Sequence, residues 1–213
     1  GEYCDQIRLL GYYEGAGIFT QFTENMTQGL FTIGPDYEQF EPNVAKDWEL
    51  SEDGKSLTLH LREGMKWSDG DDVTADDFAF WYQDILQDPD ITVSISRQWM
   101  PGGELMGFRR LDDYTVQYSF AVPYYRAVEV FAGGLVAAPE HYIKQHMPEY
   151  SDGAEALVEA AGFETWQQAV QHDTESYNAD PLIPTLNPWV IQDLGAGSAL
   201  WVRNPYYWRV DTA

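Results

Sequence analysis

The segment from Trp67 to Asp77 has the densest group of side chains that could do chemistry. Its carboxylates suggest a calcium site, because Ca²⁺ prefers oxygen ligands. A twelve-residue calcium loop needs a glycine at its sixth position and a glutamate at its twelfth, and this segment has neither in register. We therefore expect a turn at Asp69-Gly70 and then a helix. Thr74 is the expected N-cap, and Asp76 and Asp77 favour the positive end of the helix dipole.

Histidine and cysteine are too few or too far apart for a metal site. His141 and His146 are five residues apart, so they do not share a helix face and make a poor metal pair. His60 falls on the polar face of a predicted strand, which favours a solvated residue over a ligand or a base. Cys4, the one cysteine, excludes an internal disulfide and a cysteine-based cluster. Because no basic and apolar leader precedes Cys4, and Asp5 follows it, a strand cysteine is favoured over a lipoprotein anchor. We expect neither a metal nor a cofactor.

Catalytic motifs do not support an enzyme. The sequence has no Gly-x-Ser-x-Gly elbow, no phosphate-binding loop with Gly-Lys-Ser or Gly-Lys-Thr, and no His-Glu-x-x-His. Carboxylates are frequent enough for a glycosidase-like pair, but no pattern brings any two together. We expect a protein that is not an enzyme and has no catalytic residues.

The segment 11–17, which contains Tyr13, Glu14 and Gly15, consists mostly of glycine and tyrosine. Glycine permits close backbone approach and tyrosine offers a flat contact face. The spacing does not match a dinucleotide fingerprint, so phosphate binding is disfavoured. Two interpretations stay open, a plain surface turn and a ligand-facing loop.

The charge balance excludes several partners. The chain has 35 acidic and 12 basic residues, for a net charge of −23. Nucleic acid needs Lys and Arg to replace its counterions, and an anionic membrane would repel this chain. Such acidity fits either a salt-rich habitat or a secreted protein. The sequence shows no apolar run long enough to span a membrane, no signal peptide and no initiator Met, so we expect a chain that was processed or cut at its front.

Apolar periodicity predicts the elements that position these residues. Alternation on both sides of the turn Ser51-Glu52-Asp53-Gly54 predicts a β-hairpin over 48–62. Phe78, Trp81, Tyr82 and Ile85 form one apolar stripe of a helix. Further strands are expected within 3–10, over 116–120, from 185 and over 199–202, and further helices over 19–31, 139–147, 153–162 and 163–172.

Several ordered segments carry a resemblance to a known family. They are 41–49 (EPNVAKDWE), 51–70 (SEDGKSLTLHLREGMKWSDG), 73–78 (VTADDF) and 203–211 (RNPYYWRVD). Together they resemble the family 5 extracellular solute-binding proteins of ABC importers. The resemblance implies an α+β fold that is part of lobe I of a periplasmic-binding-protein type II-like fold, a mixed sheet with an inserted hairpin and helix subdomain. Residues 1–41 would begin the sheet domain, 42–184 would be the inserted subdomain and 185–213 would return to the sheet, with the second lobe absent.

The resemblance also implies a function and a location. Such proteins enclose a ligand between two lobes and deliver it to an ABC permease. The ligand would be a peptide or an oligosaccharide, nickel being disfavoured by the few histidines. Expected ligand contacts are Tyr13, Glu14, Gly15, Trp99 and Trp189, although core packing is the alternative for both tryptophans. We expect a monomer, periplasmic or extracellular, with or without a membrane anchor. The rival hypotheses are a carbohydrate-active hydrolase and a surface adhesion domain.

Overall fold

The computed structural model describes residues 6–10, 28–34, 36, 39–134, 136–176, 180–195 and 198–209. They group into two compact units. The first consists of the described residues within Gly1–Thr27, Met65–Asp72 and His141–Ala213, and the second of those within Gln28–Gly64 and Val73–Glu140. The boundaries predicted after residues 41 and 184, between the sheet domain and the inserted subdomain of lobe I, stay a prediction.

The first unit contains a three-stranded sheet in the order β1-β9-β8. Its strands are β1 (Gln6–Leu10), β8 (Trp189–Gly195) and β9 (Ser198–Arg203). In the central strand β9, Ala199 and Trp201 are fully buried, because alternate side chains of a strand point to the same face. The strands predicted within 3–10 and over 199–202 are thereby confirmed.

Helices of the first unit follow the predicted runs. A short helix, α3 (Glu140–Ile143), begins in the second unit and continues as a 3₁₀ turn over Lys144–His146. It is followed by α4 (Ala154–Ala160) and α5 (Trp166–Glu175). Thr165 begins α5 as the N-cap, and its side chain accepts a hydrogen bond from the Gln168 amide.

The second unit is built on two antiparallel sheets. One pairs β2 (Phe31–Ile33) with β3 (Phe40–Pro42). The other has the order β4-β5-β7-β6, with β4 (Ala45–Leu50), β5 (Ser56–Leu61), β6 (Gly107–Asp112) and β7 (Thr115–Ser119). The predicted hairpin is β4–β5, and Leu57, Leu59 and Leu61 are fully buried on one face of β5.

Helix α1 (Ala75–Phe80) begins as predicted at the N-cap Thr74. A capping box forms, in which the Asp77 carboxylate accepts a hydrogen bond from the Thr74 amide at 2.9 Å. The helix continues as a π-helical turn over Trp81–Leu86. Short helices at Arg97–Trp99, at Pro101–Gly103 and in α2 (Ala127–Ala132) complete the unit.

Two predictions need correction. The first is the helix predicted over 19–31. Residues 19–27 lie outside the described residues, but Gln28 to Leu30 are not helical and Phe31 begins β2. Pairing of Phe31 with Pro42 competes successfully with the weak helical pattern at this end. The mixed sheet is not seen either, because every described strand pair is antiparallel. Short connections such as the β4–β5 and β8–β9 turns allow only antiparallel pairing.

An aromatic cluster in the second unit gives a matched pair of tyrosines. Tyr82 and Tyr118 both pack on Phe108, with ring centroids 5.3 and 5.4 Å away. The Tyr82 hydroxyl donates to the carbonyl oxygen of Met106. The fully buried Tyr118 hydroxyl has no hydrogen-bond partner within the described part of the chain, and burial raises its pKa well above the ordinary value.

The two hydroxyl groups should therefore differ in their contribution to stability. Tyr118→Phe should leave the free energy of unfolding unchanged or raise it by up to about 1 kcal/mol, since it removes an unpaired buried polar group. Tyr82→Phe should lower it by about 1–2 kcal/mol, because the carbonyl of Met106 loses its donor. Urea unfolding of both variants measures the difference, and an equal loss in both would contradict the assignment.

Candidate functional site

A cavity of about 140 Å³ lies within the first unit. The loop Lys66–Asp72, the segment 180–187 and the strands β8 and β9 form its walls. Its volume is smaller than that of a whole drug-sized ligand site, so it suits one sugar ring or one side chain of a longer ligand. The lining residues are Ser68, Asp69, Asp180, Pro181, Leu182, Ile183, Pro184, Thr185, Asn187, Trp189, Val190, Ile191 and Trp201.

Two reciprocal hydrogen bonds join the walls of this cavity. The Ser68 amide donates to the Thr185 carbonyl oxygen at 3.0 Å, and the Thr185 amide donates to Ser68 Oγ at 3.0 Å. In the same loop Gly70 has φ +100°, and a Cβ atom there would lie 2.9 Å from the Tyr206 ring. Glycine is needed here because its positive φ and the close aromatic ring both disfavour a side chain.

Each carboxylate of the cavity wall has a histidine partner. Asp69 Oδ2 lies 2.8 Å from His141 Nε2, and the other ring nitrogen of His141, Nδ1, lies 3.6 Å from Asp71 Oδ2. Asp180 Oδ2 lies 2.9 Å from His172 Nε2. A carboxylate held in this way keeps a fixed orientation and still has lone pairs to accept hydrogen bonds from a ligand hydroxyl or amide.

Further charges surround the site. Lys66 Nζ lies 2.6 Å from Asp72 Oδ1 and donates to the Gly70 carbonyl oxygen at 3.0 Å, and the bond to Asp72 raises the pKa of Lys66. Burial raises the pKa of Tyr142 to about 12, and the nearby Asp173 and Asp180 contribute to that increase. The acidic cluster of the sequence is thus folded as a turn that Lys66 closes.

The structure separates the residues predicted to contact a ligand. Trp189 is half-buried and lines the cavity. Trp99 lies in the second unit, where its half-buried ring packs edge-on against Trp81 and Phe131 at 5.5 and 5.3 Å. Tyr13, Glu14 and Gly15 lie outside the described residues. The ligand contacts of all five residues stay predictions.

Sequence reasoning missed most of the polar residues of the cavity. Asp180, Thr185 and Asn187 belong to an irregular segment without periodicity. The Thr185 amide donates to Ser68, which is distant in the chain. Ser68 and Asp69 were noted only as part of a turn. One available signal was the density of Pro and Asp around residue 180, which is typical of a structured loop.

Metal ligands do not converge in the part of the chain that the structure describes. No group of three or more His, Cys, Asp and Glu side chains there could hold an ion. His141 and His146 bind different carboxylates, since His146 Nδ1 lies 2.7 Å from Asp173 Oδ2. His60 is half-buried in β5, in the second unit.

Among the described helices, none has both the length and the apolar character needed to cross a bilayer.

Comparison with known proteins identifies the family. The family model for "Bacterial extracellular solute-binding proteins, family 5 Middle" matches residues 39–213. The chain belongs to the family 5 extracellular solute-binding proteins. The periplasmic alpha-galactoside-binding protein of Rhizobium meliloti (strain 1021) is 33% identical to it over 200 residues, which are 92% of the chain and 27% of that protein.

Solved structures of family 5 proteins share the fold. The oligopeptide-binding protein OppA matches with a TM-score of 0.82 and 32% identity over 93% of the chain and 31% of OppA. The periplasmic binding protein MelB from Agrobacterium fabrum C58, in complex with stachyose, matches with a TM-score of 0.65 and 27% identity over 94% of the chain and 28% of MelB. These matches confirm the predicted fold family. The chain spans between about a quarter and a third of the length of these relatives.

Proposed function

We propose that the chain is part of the substrate-binding component of an ABC importer, and that it captures a peptide or an oligosaccharide and delivers it to the permease. Family membership over residues 39–213 carries this proposal. The relatives are periplasmic or extracellular binding proteins, so we assign the chain to the same compartment. We also propose that the protein is a monomer, either anchored to the membrane or free, and that it docks on the permease subunits.

The cavity in the first unit supports binding as the activity. Trp189 offers an aromatic face, and Asp69 and Asp180 offer oriented acceptors beside it. Such a combination fixes a ligand by stacking and hydrogen bonds, and capture between lobes excludes water without breaking a bond. We propose that the protein is not an enzyme, and the comparisons give no support to a hydrolase or an adhesion domain.

Two ligand classes are candidates, each on its own observation. An oligosaccharide is favoured by the 33% identity to the alpha-galactoside-binding protein over 92% of the chain, and by the tryptophan in the cavity wall, since aromatic faces stack on sugar rings. A peptide is favoured by the TM-score of 0.82 to the oligopeptide-binding protein OppA.

A thermal-shift experiment separates the two classes. Stachyose and a set of tripeptides and pentapeptides are each added at increasing concentration to the longest obtainable form of the protein, and to this chain beside it. A ligand at 100 times its Kd stabilises the folded state by about 2.7 kcal/mol, which corresponds to an increase in Tm of roughly 5–10 °C. We expect such an increase with one class and none with the other.

Two variants test whether the cavity is responsible. Trp189→Ala should remove most of the Tm increase caused by the ligand, because it deletes the aromatic wall of the cavity. Tyr125→Ala, which replaces a side chain 65% exposed in the second unit, should keep the full increase. Absence of any shift with both ligand classes in the longest obtainable form of the protein would refute the proposed function.

A further inference from the structure

A second hollow in the first unit has a different character from the cavity. It is an open groove of about 650 Å³ between one side of α4, the N-terminal end of α5 and the chain that joins them. It shares no lining residue with the cavity, so an inference about it does not rest on the proposed ligand. Its lining includes Glu155, Val158, Glu159, Phe163, Glu164 and Trp166.

The floor of the groove is apolar and held in place. Val158 is 4% exposed, whereas the rings of Phe163 and Trp166 are half-buried and keep one part accessible. Phe163 packs against the His172 ring at a centroid distance of 5.2 Å. The N-cap of α5 fixes the backbone next to Trp166. Partly exposed aromatic rings on a rigid support are the residues that anchor partner proteins most often.

The rim of the groove is acidic. Glu155 and Glu159 are separated by one turn of α4, and Glu164 follows in the connection to α5. All three are exposed, and within the described residues none of them forms an ion pair. Like charges at this helical spacing repel each other, and a cationic partner would relieve that repulsion.

We propose that this groove is a docking surface for a basic segment of a partner protein, one in which an arginine or a lysine stands next to an aromatic or aliphatic side chain. The apolar side chain enters between Val158, Phe163 and Trp166. The cation lies over an aromatic face and between the rim carboxylates, where cation–π attraction and charge pairing act together. The net charge of −23 opposes an anionic lipid surface or a nucleic acid in the same place.

The test uses an acetylated and amidated tetrapeptide, arginine–phenylalanine–arginine–leucine, titrated into the protein by calorimetry at low and at physiological salt. A short flexible probe of this kind should bind with a Kd of roughly 0.1–1 mM at low salt and more weakly at physiological salt. Protein labelled with 5-fluorotryptophan gives a second readout. The ¹⁹F signal that is lost in Trp166→Phe belongs to Trp166, and it should shift on addition of the peptide.

Two triple variants with the same change in net charge separate docking from general attraction. Glu155→Gln, Glu159→Gln and Glu164→Gln together should weaken peptide binding at least tenfold. Glu49→Gln, Glu52→Gln and Glu104→Gln replace exposed carboxylates of the second unit and should leave the Kd unchanged. An equal loss in both triple variants would overturn the proposal, as would an unchanged Trp166 signal. Spermidine that binds as tightly as the peptide would also overturn it, because the groove would then recognise charge alone.

Discussion

Replacing Trp201 by alanine should lower the free energy of unfolding by about 3–5 kcal/mol, the loss expected when a fully buried tryptophan leaves a cavity. The side chain is fully buried in the central strand of the sheet of the first unit. Its backbone pairs with Ile7 on one side and Ile191 on the other, so that neighbouring strands cannot easily collapse into the space. Urea unfolding followed by far-UV circular dichroism measures the loss.

Trp189 provides the matched control on the next strand. It also lines the cavity, but it is half-buried at the start of β8. Trp189→Ala should lower the free energy of unfolding by only about 1–2 kcal/mol, because less apolar surface leaves the interior. If the free energy of unfolding falls by the same amount in both variants, the burial of Trp201 does not contribute to stability as its position indicates.

Replacing Asp77 by alanine should lower the free energy of unfolding by about 3 kcal/mol. The carboxylate is 4% exposed and accepts two backbone hydrogen bonds. They come from the Thr74 amide at 2.9 Å and the Glu140 amide at 3.2 Å. Its own carbonyl oxygen accepts a third, from the Ala138 amide at 3.3 Å. Asp77 therefore joins the start of α1 to a segment about sixty residues further along the chain, and its removal takes away the acceptor of both hydrogen bonds.

The neighbouring carboxylate is the control for this prediction. Asp76 pairs with Arg110, and its side chain is 49% exposed. Asp76→Ala should change the free energy of unfolding by less than about 1 kcal/mol, the range of exposed ion pairs. Chemical denaturation with an unchanged m-value for both variants would show that the difference arises in the folded state. A loss in Asp76→Ala as large as that in Asp77→Ala would contradict the role given to the capping box.

Local patterns in the sequence predicted the parts of the fold that local physics determines. Period-two alternation around Ser51 to Gly54 gave the hairpin, and Thr74 with Asp77 gave the helix start, because turn and cap chemistry act within a few residues. The sequence also predicts a helix that reaches Phe31, and the end of that prediction is wrong. Pairing of β2 with β3 decides that end, and strand pairing depends on residues further along the chain.

The candidate site was harder to predict for the same reason. Trp189 was among the expected ligand contacts and lies in the cavity wall. The sequence does not indicate that Asp69 and Asp180 lie beside it. Asp180 pairs with His172 through an irregular loop, and Asp69 pairs with His141, which is far away in the sequence. Around Phe163 and Trp166 the sequence predicts only a helix. The sequence does not show which aromatic rings a helix boundary leaves partly exposed.

The pairing of β1 with β9 has a consequence for the order in which the protein folds during synthesis. Gln6 pairs with Val202, so about 195 further residues must be made before the sheet of the first unit can close. At roughly 5–20 residues per second, β1 waits on the order of 10–40 s outside the ribosome without its partner strand. The β4–β5 hairpin and α1 need only neighbouring residues and can form during that time. Until translation reaches β9, β1 is thus a strand of the nascent chain that depends on protection from aggregation.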